Sequence, residues 1–370
     1  MKLVLLKEKM FDEHPRFMVG ENNIRALQGY FSISFKELEA VTSYASSKWE
    51  QLCQMVDIEE SFRAHIRFDL VPQFTGKTQK EDNTCYLGEL SIKGAYEINT
   101  HSPECMSCDA LFRESFPQIA KHTPSAAKAL GTELYHEYRQ EKIDMVKGEA
   151  VTRDSWCSAL KREMSKVGVS ISEVSVEKAL SNGRPVLWRW GNVDFNNEYG
   201  EFSSDFQQQL YEAQDRISIF NSIPHPQKDI ANKGLLAKNG EVLLDSKENL
   251  QLALRFNKDE YVLKPLIGTS GKGIVFGDNV SAETFKKAVH EAYQKGGYGL
   301  FKKVLLPRVK LNGDIEDFTL DFLPSFFAKG SKLYYLYSVI RMEPWHSYIK
   351  RKTINVLQGG GYGGTVAVHH

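Results

Sequence analysis

No stretch of this 370-residue chain stays apolar long enough to cross a membrane, and the apolar opening at residues 1–6 is too short for a secretory leader. Charge of one sign is missing too. Forty-seven basic residues offset 47 acidic ones, so no overall field draws the chain to nucleic acid or an anionic membrane. Cysteine is scarce and odd in number: the five are Cys53, Cys85, Cys105, Cys108 and Cys157, which argues against an extracellular disulfide framework. There is no internal repeat, no low-complexity linker, and no Ser-His-Asp or Cys-His spacing that marks a nucleophile. The expectation is a soluble, cytoplasmic protein without a nucleic-acid or membrane partner, long enough for two or three packed lobes. Cys105-Met106-Ser107-Cys108 has the spacing of half a zinc site or a redox pair, but no second pair completes it. These thiols are read as bystanders.

What is present begins with Asp259-Glu260-Tyr261-Val262-Leu263-Lys264-Pro265-Leu266-Ile267-Gly268-Thr269-Ser270-Gly271-Lys272-Gly273-Ile274-Val275-Phe276-Gly277. An apolar strand carries one lysine, a glycine-rich loop follows, and a second short strand closes it. Gly268, Gly271 and Gly273 let backbone approach phosphate oxygens, Lys264 supplies an ammonium, and Thr269, Ser270 and Lys272 add donors at the loop tip. The spacing is not that of a Walker A loop. Taken alone, the same run also describes a hairpin turn.

A second cluster lies far away. Arg67-Phe68-Asp69-Leu70-Val71 and Tyr96-Glu97-Ile98-Asn99 alternate polar with apolar residues, the period of half-buried strands. Alternation puts Arg67 and Asp69 on one face, and Glu97 and Asn99 on one face. If the strands are neighbours, Asp69, Glu97 and Asn99 offer hard oxygen ligands of the kind magnesium takes alongside substrate phosphates. Solvated strand faces are the plain alternative.

Together these residues resemble an ATP-grasp ligase, with the usual motif order inverted: Glu97 and Asn99 come early and Lys264 late. The inversion is similar to the circularly permuted group typified by glutathionylspermidine synthase. The two ends of the chain agree with it. Thr353 to Gly364 carries an asparagine, Asn355, and paired glycines, Gly360 and Gly361, while an amphipathic helix from about Ser34 to Val56 precedes Arg67. Phe35, Leu38, Val41, Ala45, Trp49, Leu52 and Val56 form its apolar stripe, and Ser34 with Glu37 makes a capping box.

The resemblance implies a permuted α+β ATP-grasp fold, with the nucleotide between two α+β lobes and a helical or mixed connecting region. The expected division is a metal-binding lobe at 1–125, a connecting and substrate-binding region at 126–215, and a nucleotide lobe at 216–370. The strands around Asp317–Asp321 and 333–342 are assigned to that last lobe. The resemblance also implies ATP and two Mg2+ ions held by Asp69, Glu97 and Asn99, with small carboxylate and amine substrates such as an amino acid, peptide or polyamine. Arg67 and Arg341 are implied to stabilise the transferring phosphoryl group. Lys228 and Lys233 both fit a further nucleotide-contacting lysine, and the sequence does not choose between them. Lys302-Lys303 stands where many relatives have a glutamate, and Lys303 is a candidate for a phosphate. Asn355, Gly360, Gly361 and Arg189 are substrate candidates, with Asp194 and Glu201 in the polar loop after Arg189. A nucleotide-binding scaffold without ligation is the alternative reading.

Overall fold

Helix formation at Ser34 shows how local sequence sets the frame. Glu37 Oε2 accepts from Ser34 N at 2.8 Å while Glu37 N donates to Ser34 Oγ at 3.3 Å, so both bonds of the expected capping box are made. The helix Phe35–Val56 buries Val41, Ala45, Trp49, Leu52 and Val56. Phe35, expected on the apolar stripe, is 50% exposed. It sits at the first helical position, where the stripe has not yet turned inward, and Glu37 takes the buried place instead.

The computed structural model describes residues 1–6, 16–19, 22–27, 29–76, 78–99, 105–147, 155–189, 205–222, 232–267, 273–310, 317–352, 354 and 361–369. Over these the chain is mixed α+β with four sheets. It divides into two compact units. One comprises Met1–Gly191, Glu212–Ser222 and Leu306–His370, and the other Asn192–Tyr211 and Ile223–Leu305. Among the described residues, no helix is long and apolar enough to cross a membrane.

The largest sheet of the first unit runs Arg16–Val19, Asn22–Ala26, Gly361–Thr365, Lys332–Pro344, Phe318–Lys329, Arg63–Thr75, Glu89–Asn99. Phe318–Lys329 is buried along all but its last residue, as a central strand covered on both faces must be. The sequence expectation had grouped this strand and Lys332–Pro344 with the lysine strand. They pair instead with each other, and Phe318–Lys329 pairs on its other side with Arg63–Thr75. Their turn holds Gly330 at φ 53, where an added Cβ would lie 3.1 Å from the Glu60 backbone. The buried Trp49 indole donates to the Gly330 carbonyl at 3.0 Å, tying the long helix to this turn.

A second sheet of the same unit runs Ala367–His369, Gly29–Ser34, Lys2–Leu5, Thr84–Tyr86, Gln79–Glu81. A third is parallel, ordered Ser170–Glu173, Lys142–Lys147, Val186–Arg189, Ile219–Phe220. The run of good helix formers from Ala126 to Lys147 suggests a helical connection from composition alone. The helix stops at Tyr138, with Arg139 left-handed at φ 47, and Lys142–Lys147 is a strand. Beyond the last parallel strand, Ser222 N donates to Arg63 O at 2.7 Å and His65 N donates to Asn221 Oδ1 at 3.0 Å. These bonds fix the start of the strand that carries Arg67.

The second unit has one sheet, ordered Val242–Leu243, Tyr298–Lys302, Tyr261–Pro265, Val275–Phe276, all antiparallel. The helix Ala282–Lys295 begins at a serine cap: Ser281 Oγ accepts from Thr284 N, and Gly296 ends it. Phe285, Val289 and Ala292 from this helix pack with Tyr261, Leu263 and Leu300 to form the core of this unit.

Candidate functional site

In the first unit, the two strands singled out from sequence are neighbours. Arg67 pairs with Asn99 and Asp69 with Glu97 in antiparallel register, which puts the four on one face of the sheet. Arg67 grips Asp69 bidentately, Nε to Oδ1 at 2.7 Å and Nη2 to Oδ2 at 3.1 Å. Asn99 Nδ2 donates to Asp69 Oδ1 at 3.1 Å. Arg341, brought in on Lys332–Pro344, donates from Nη2 to Asp69 Oδ2 at 2.9 Å.

Two residues that the sequence reading left out complete the cluster. Asp321 pairs with Arg341 across Phe318–Lys329 and Lys332–Pro344. Arg341 Nε lies 3.2 and 3.1 Å from its two carboxylate oxygens, and Nη2 lies 2.5 Å from Oδ2. The Tyr96 hydroxyl donates to Asp321 Oδ2 at 2.7 Å and accepts from Arg341 Nη2 at 3.0 Å. Strict alternation turns Tyr96 away from Glu97 and Asn99. The strand, however, shifts register here: Glu97 pairs with Asp69 and Ala95 with Leu70, so Tyr96 is the extra residue of a bulge. Bulges re-aim side chains, and this one brings the phenol onto the charged face. Asp321 did leave a signal, a carboxylate within an otherwise apolar run, which has to find a partner when buried.

The electrostatics follow from burial. Asp69 and Asp321 are buried, while Arg341 keeps 20% of its side chain exposed. Burial works against the charge on Arg341, but Asp321, the Tyr96 hydroxyl and Asp69 outweigh it and hold its pKa well above the ordinary value. Burial, reinforced by Asp321, pushes the Tyr96 phenol well above its usual range, so it keeps its proton and remains a donor. Burial also pushes Asp321 up from the ordinary carboxylate value, opposed by Arg341.

The donor set can be tested for magnesium. Asp69 already accepts from Arg67, Asn99 and Arg341, and those bonds occupy the lone pairs of both its oxygens. Asn99 gives its amide nitrogen to Asp69, which leaves its Oδ1 for another partner. The Glu97 carboxylate lies opposite Asp69 on the same face. Glu97 and Asn99 are hard oxygen donors that fit the ion, and Asp69 would have to give up one guanidinium contact to join them. Among the described residues, no three His, Cys, Asp or Glu side chains converge as a ready-made metal cage.

In the second unit, Lys264 lies on Tyr261–Pro265, paired with Gly299, and its ammonium is 5.9 Å from the centre of the Phe301 ring. The expected strand–loop–strand is present as an antiparallel hairpin, with Leu263 paired to Val275. Gly273, at φ 74, closes the loop, and a Cβ there would meet the Tyr298 hydroxyl at 2.9 Å. Lys233 is buried beside the end of this strand, its N–H bonded to Leu266 O at 2.8 Å. Lys303 is engaged by Asp278 at 2.5 Å and by the Asp259 carbonyl at 2.7 Å. Lys228, Gly268, Thr269, Ser270, Gly271, Lys272, Asp194, Glu201, Asn355 and Gly360 lie outside the described residues, as do the side chains of Arg189 and Cys105. Gly361 pairs with Met342, next to Arg341.

No family model and no curated protein matches this chain. Among solved structures, D-cycloserine synthetase DcsG matches with a TM-score of 0.31 and 16% identity, over 44% of this chain. The chain covers 59% of the length of that structure. A likeness this slight decides neither fold nor activity.

Proposed function

We propose that the chain is an ATP-dependent carboxylate–amine ligase of the permuted ATP-grasp kind. One observation carries the reading: Arg67, Asp69, Asn99 and Arg341 converge on one sheet face in the combination that phosphoryl transfer between anions requires. A buried cluster of this kind is a poor source of stability, since well-packed apolar residues do as well, so its chemistry is the better reason for it. The permuted order is supported by the strands near the two ends of the chain. Gly361–Thr365 pairs with Asn22–Ala26, and Ala367–His369 with Gly29–Ser34.

In this reading the γ-phosphoryl group passes from ATP to a substrate carboxylate oxygen: the bond to the ADP oxygen breaks and an acylphosphate forms. The amine nitrogen then attacks the acyl carbon, the bond to phosphate breaks, and an amine proton is lost. Such chemistry asks mainly for positioning and charge neutralisation. Arg67 and Arg341 neutralise the travelling phosphoryl group and the tetrahedral oxyanion. Lys264, with Lys233 or Lys228, binds the nucleotide phosphates, and the Gly268–Gly273 loop excludes water from them. Lys303 reaches a phosphate only by leaving Asp278. Glu97 and Asn99, with Asp69, would hold magnesium, which would supply positive charge against the phosphates when bound. Gly361 pairs with Met342, next to Arg341, which supports acceptor-side roles for Asn355, Gly360 and Gly361. Arg189 ends a parallel strand in register with Lys147, where the strand order 170–173, 142–147, 186–189 reverses. Ligands of parallel sheets gather at such reversals, which supports Arg189 as a substrate contact.

A second reading has one observation in its favour. The lone pairs of Asp69 are filled by protein donors, as suits a nucleotide-binding scaffold that has given up metal chemistry. A screen of carboxylate and amine pairs for ADP release, read by mass spectrometry, separates the two. ADP, phosphate and an amide appearing only with both substrates establish the ligase, and Glu97→Ala is expected to abolish turnover while the protein stays folded. Nucleotide binding without turnover on any pair favours the scaffold. Undiminished turnover in folded, magnesium-saturated Glu97→Ala removes the metal assignment.

A further inference from the structure

A guanidinium has five N–H donors in a rigid plane. In Arg341, Nε and Nη2 are spent on Asp321, Asp69 and the Tyr96 hydroxyl, whereas Nη1 makes no hydrogen bond among the described residues. One edge is bolted to the sheet and the other is left open. The bolt is a closed cycle: Arg341 Nη2 donates to Tyr96, Tyr96 donates to Asp321, and Asp321 accepts from Arg341. Neither of the two partners has much freedom. Asp321 sits on the buried strand Phe318–Lys329, and the Tyr96 ring packs on Val71, Leu306, Tyr348 and Ile354.

We propose that Tyr96 and Asp321 are positioning residues: they lock Arg341 by its Nε–Nη2 edge and so present Nη1 to an incoming oxyanion, a carboxylate or phosphoryl oxygen. The geometry of the lock is independent of the ligase assignment; only the identity of the oxyanion rests on that reading. An apolar residue at 321 keeps the strand buried but leaves the guanidinium free to turn. A phenylalanine at 96 keeps the ring packing and removes one side of the cycle.

Chemical rescue tests this. Arg341→Ala leaves a cavity lined by Asp69, Asp321 and Tyr96, and free guanidinium at millimolar concentration is expected to bind there and raise the thermal midpoint, where methylammonium does not. In Arg341→Ala/Asp321→Asn and Arg341→Ala/Tyr96→Phe, guanidinium binding should weaken by about tenfold or more. Equal binding in all three backgrounds overturns the proposal. If Arg341→Ala does not fold, nitrogen-15 arginine spectra of the arginine-intact protein decide. Arg341 should show slow rotation about its Nε–Cζ bond in the wild type and fast rotation in Asp321→Asn and Tyr96→Phe, and unchanged rotation overturns the proposal. The ligase reading fails on a different measurement. Asp321-dependent guanidinium binding without ADP release on any substrate pair keeps the lock and discards the ligase.

Discussion

Asp69 accepts from two guanidiniums and one amide. Replacing it with asparagine turns one acceptor into a donor aimed at an arginine. Breaking a buried pair from one side costs about 3 kcal/mol or more. Asp69→Asn is therefore expected to lower the unfolding free energy from urea melts by that amount with an unchanged slope, and a loss under ~1 kcal/mol would mean the network rearranges freely. Most of this cluster was readable before folding, because the alternation around Arg67 and Asn99 survives in the observed register. Tyr96 was not readable: a bulge inserts one residue without changing the local composition, and alternation then assigns the wrong face. Asp321 was readable in principle but was passed over, since a lone carboxylate in an apolar run reads equally well as a strand edge until its neighbour on each side is known.

At the scale of elements, Glu37 joins three. Its carboxylate caps Phe35–Val56, accepts from Leu90 N at 2.7 Å and holds the Met1 ammonium at 2.5 Å. Burial works to raise its pKa, but the bonds from Met1, Ser34 and Leu90 win and hold it below the ordinary carboxylate value. A group whose folded pKa is depressed stabilises above its unfolded value, and that contribution drains away as pH falls through the folded one. Glu37→Gln should cost about 2 kcal/mol at neutral pH and flatten the acid limb of stability measured by denaturant melts at stepped pH. An unaltered acid limb would assign it to other carboxylates. Elements with caps and one wet face were legible, as Ser34 shows. Lys142–Lys147 was not. Residues 143–146 are all buried, so the strand shows no alternation, and the preceding Arg-Gln-Glu-Lys run composes well as helix. The left-handed Arg139 that ends the helix left no mark in the sequence.

At the scale of the molecule, the second unit has a core of its own and carries Lys264. Lys264→Met is expected to weaken ATP binding by about tenfold by calorimetry while leaving the thermal midpoint in place, because the core of its unit is built from Tyr261, Leu263, Phe285 and Leu300. Unchanged affinity would remove Lys264 from the nucleotide contacts. The sheet containing Gly29–Ser34 has a property of its own. Its first and last strands in chain order lie on either side of that strand, with Lys2 opposite Ser32 and His369 opposite Ser34. This sheet therefore draws strands from far-separated parts of the sequence, and it is complete only once the late strand Ala367–His369 has docked on Gly29–Ser34.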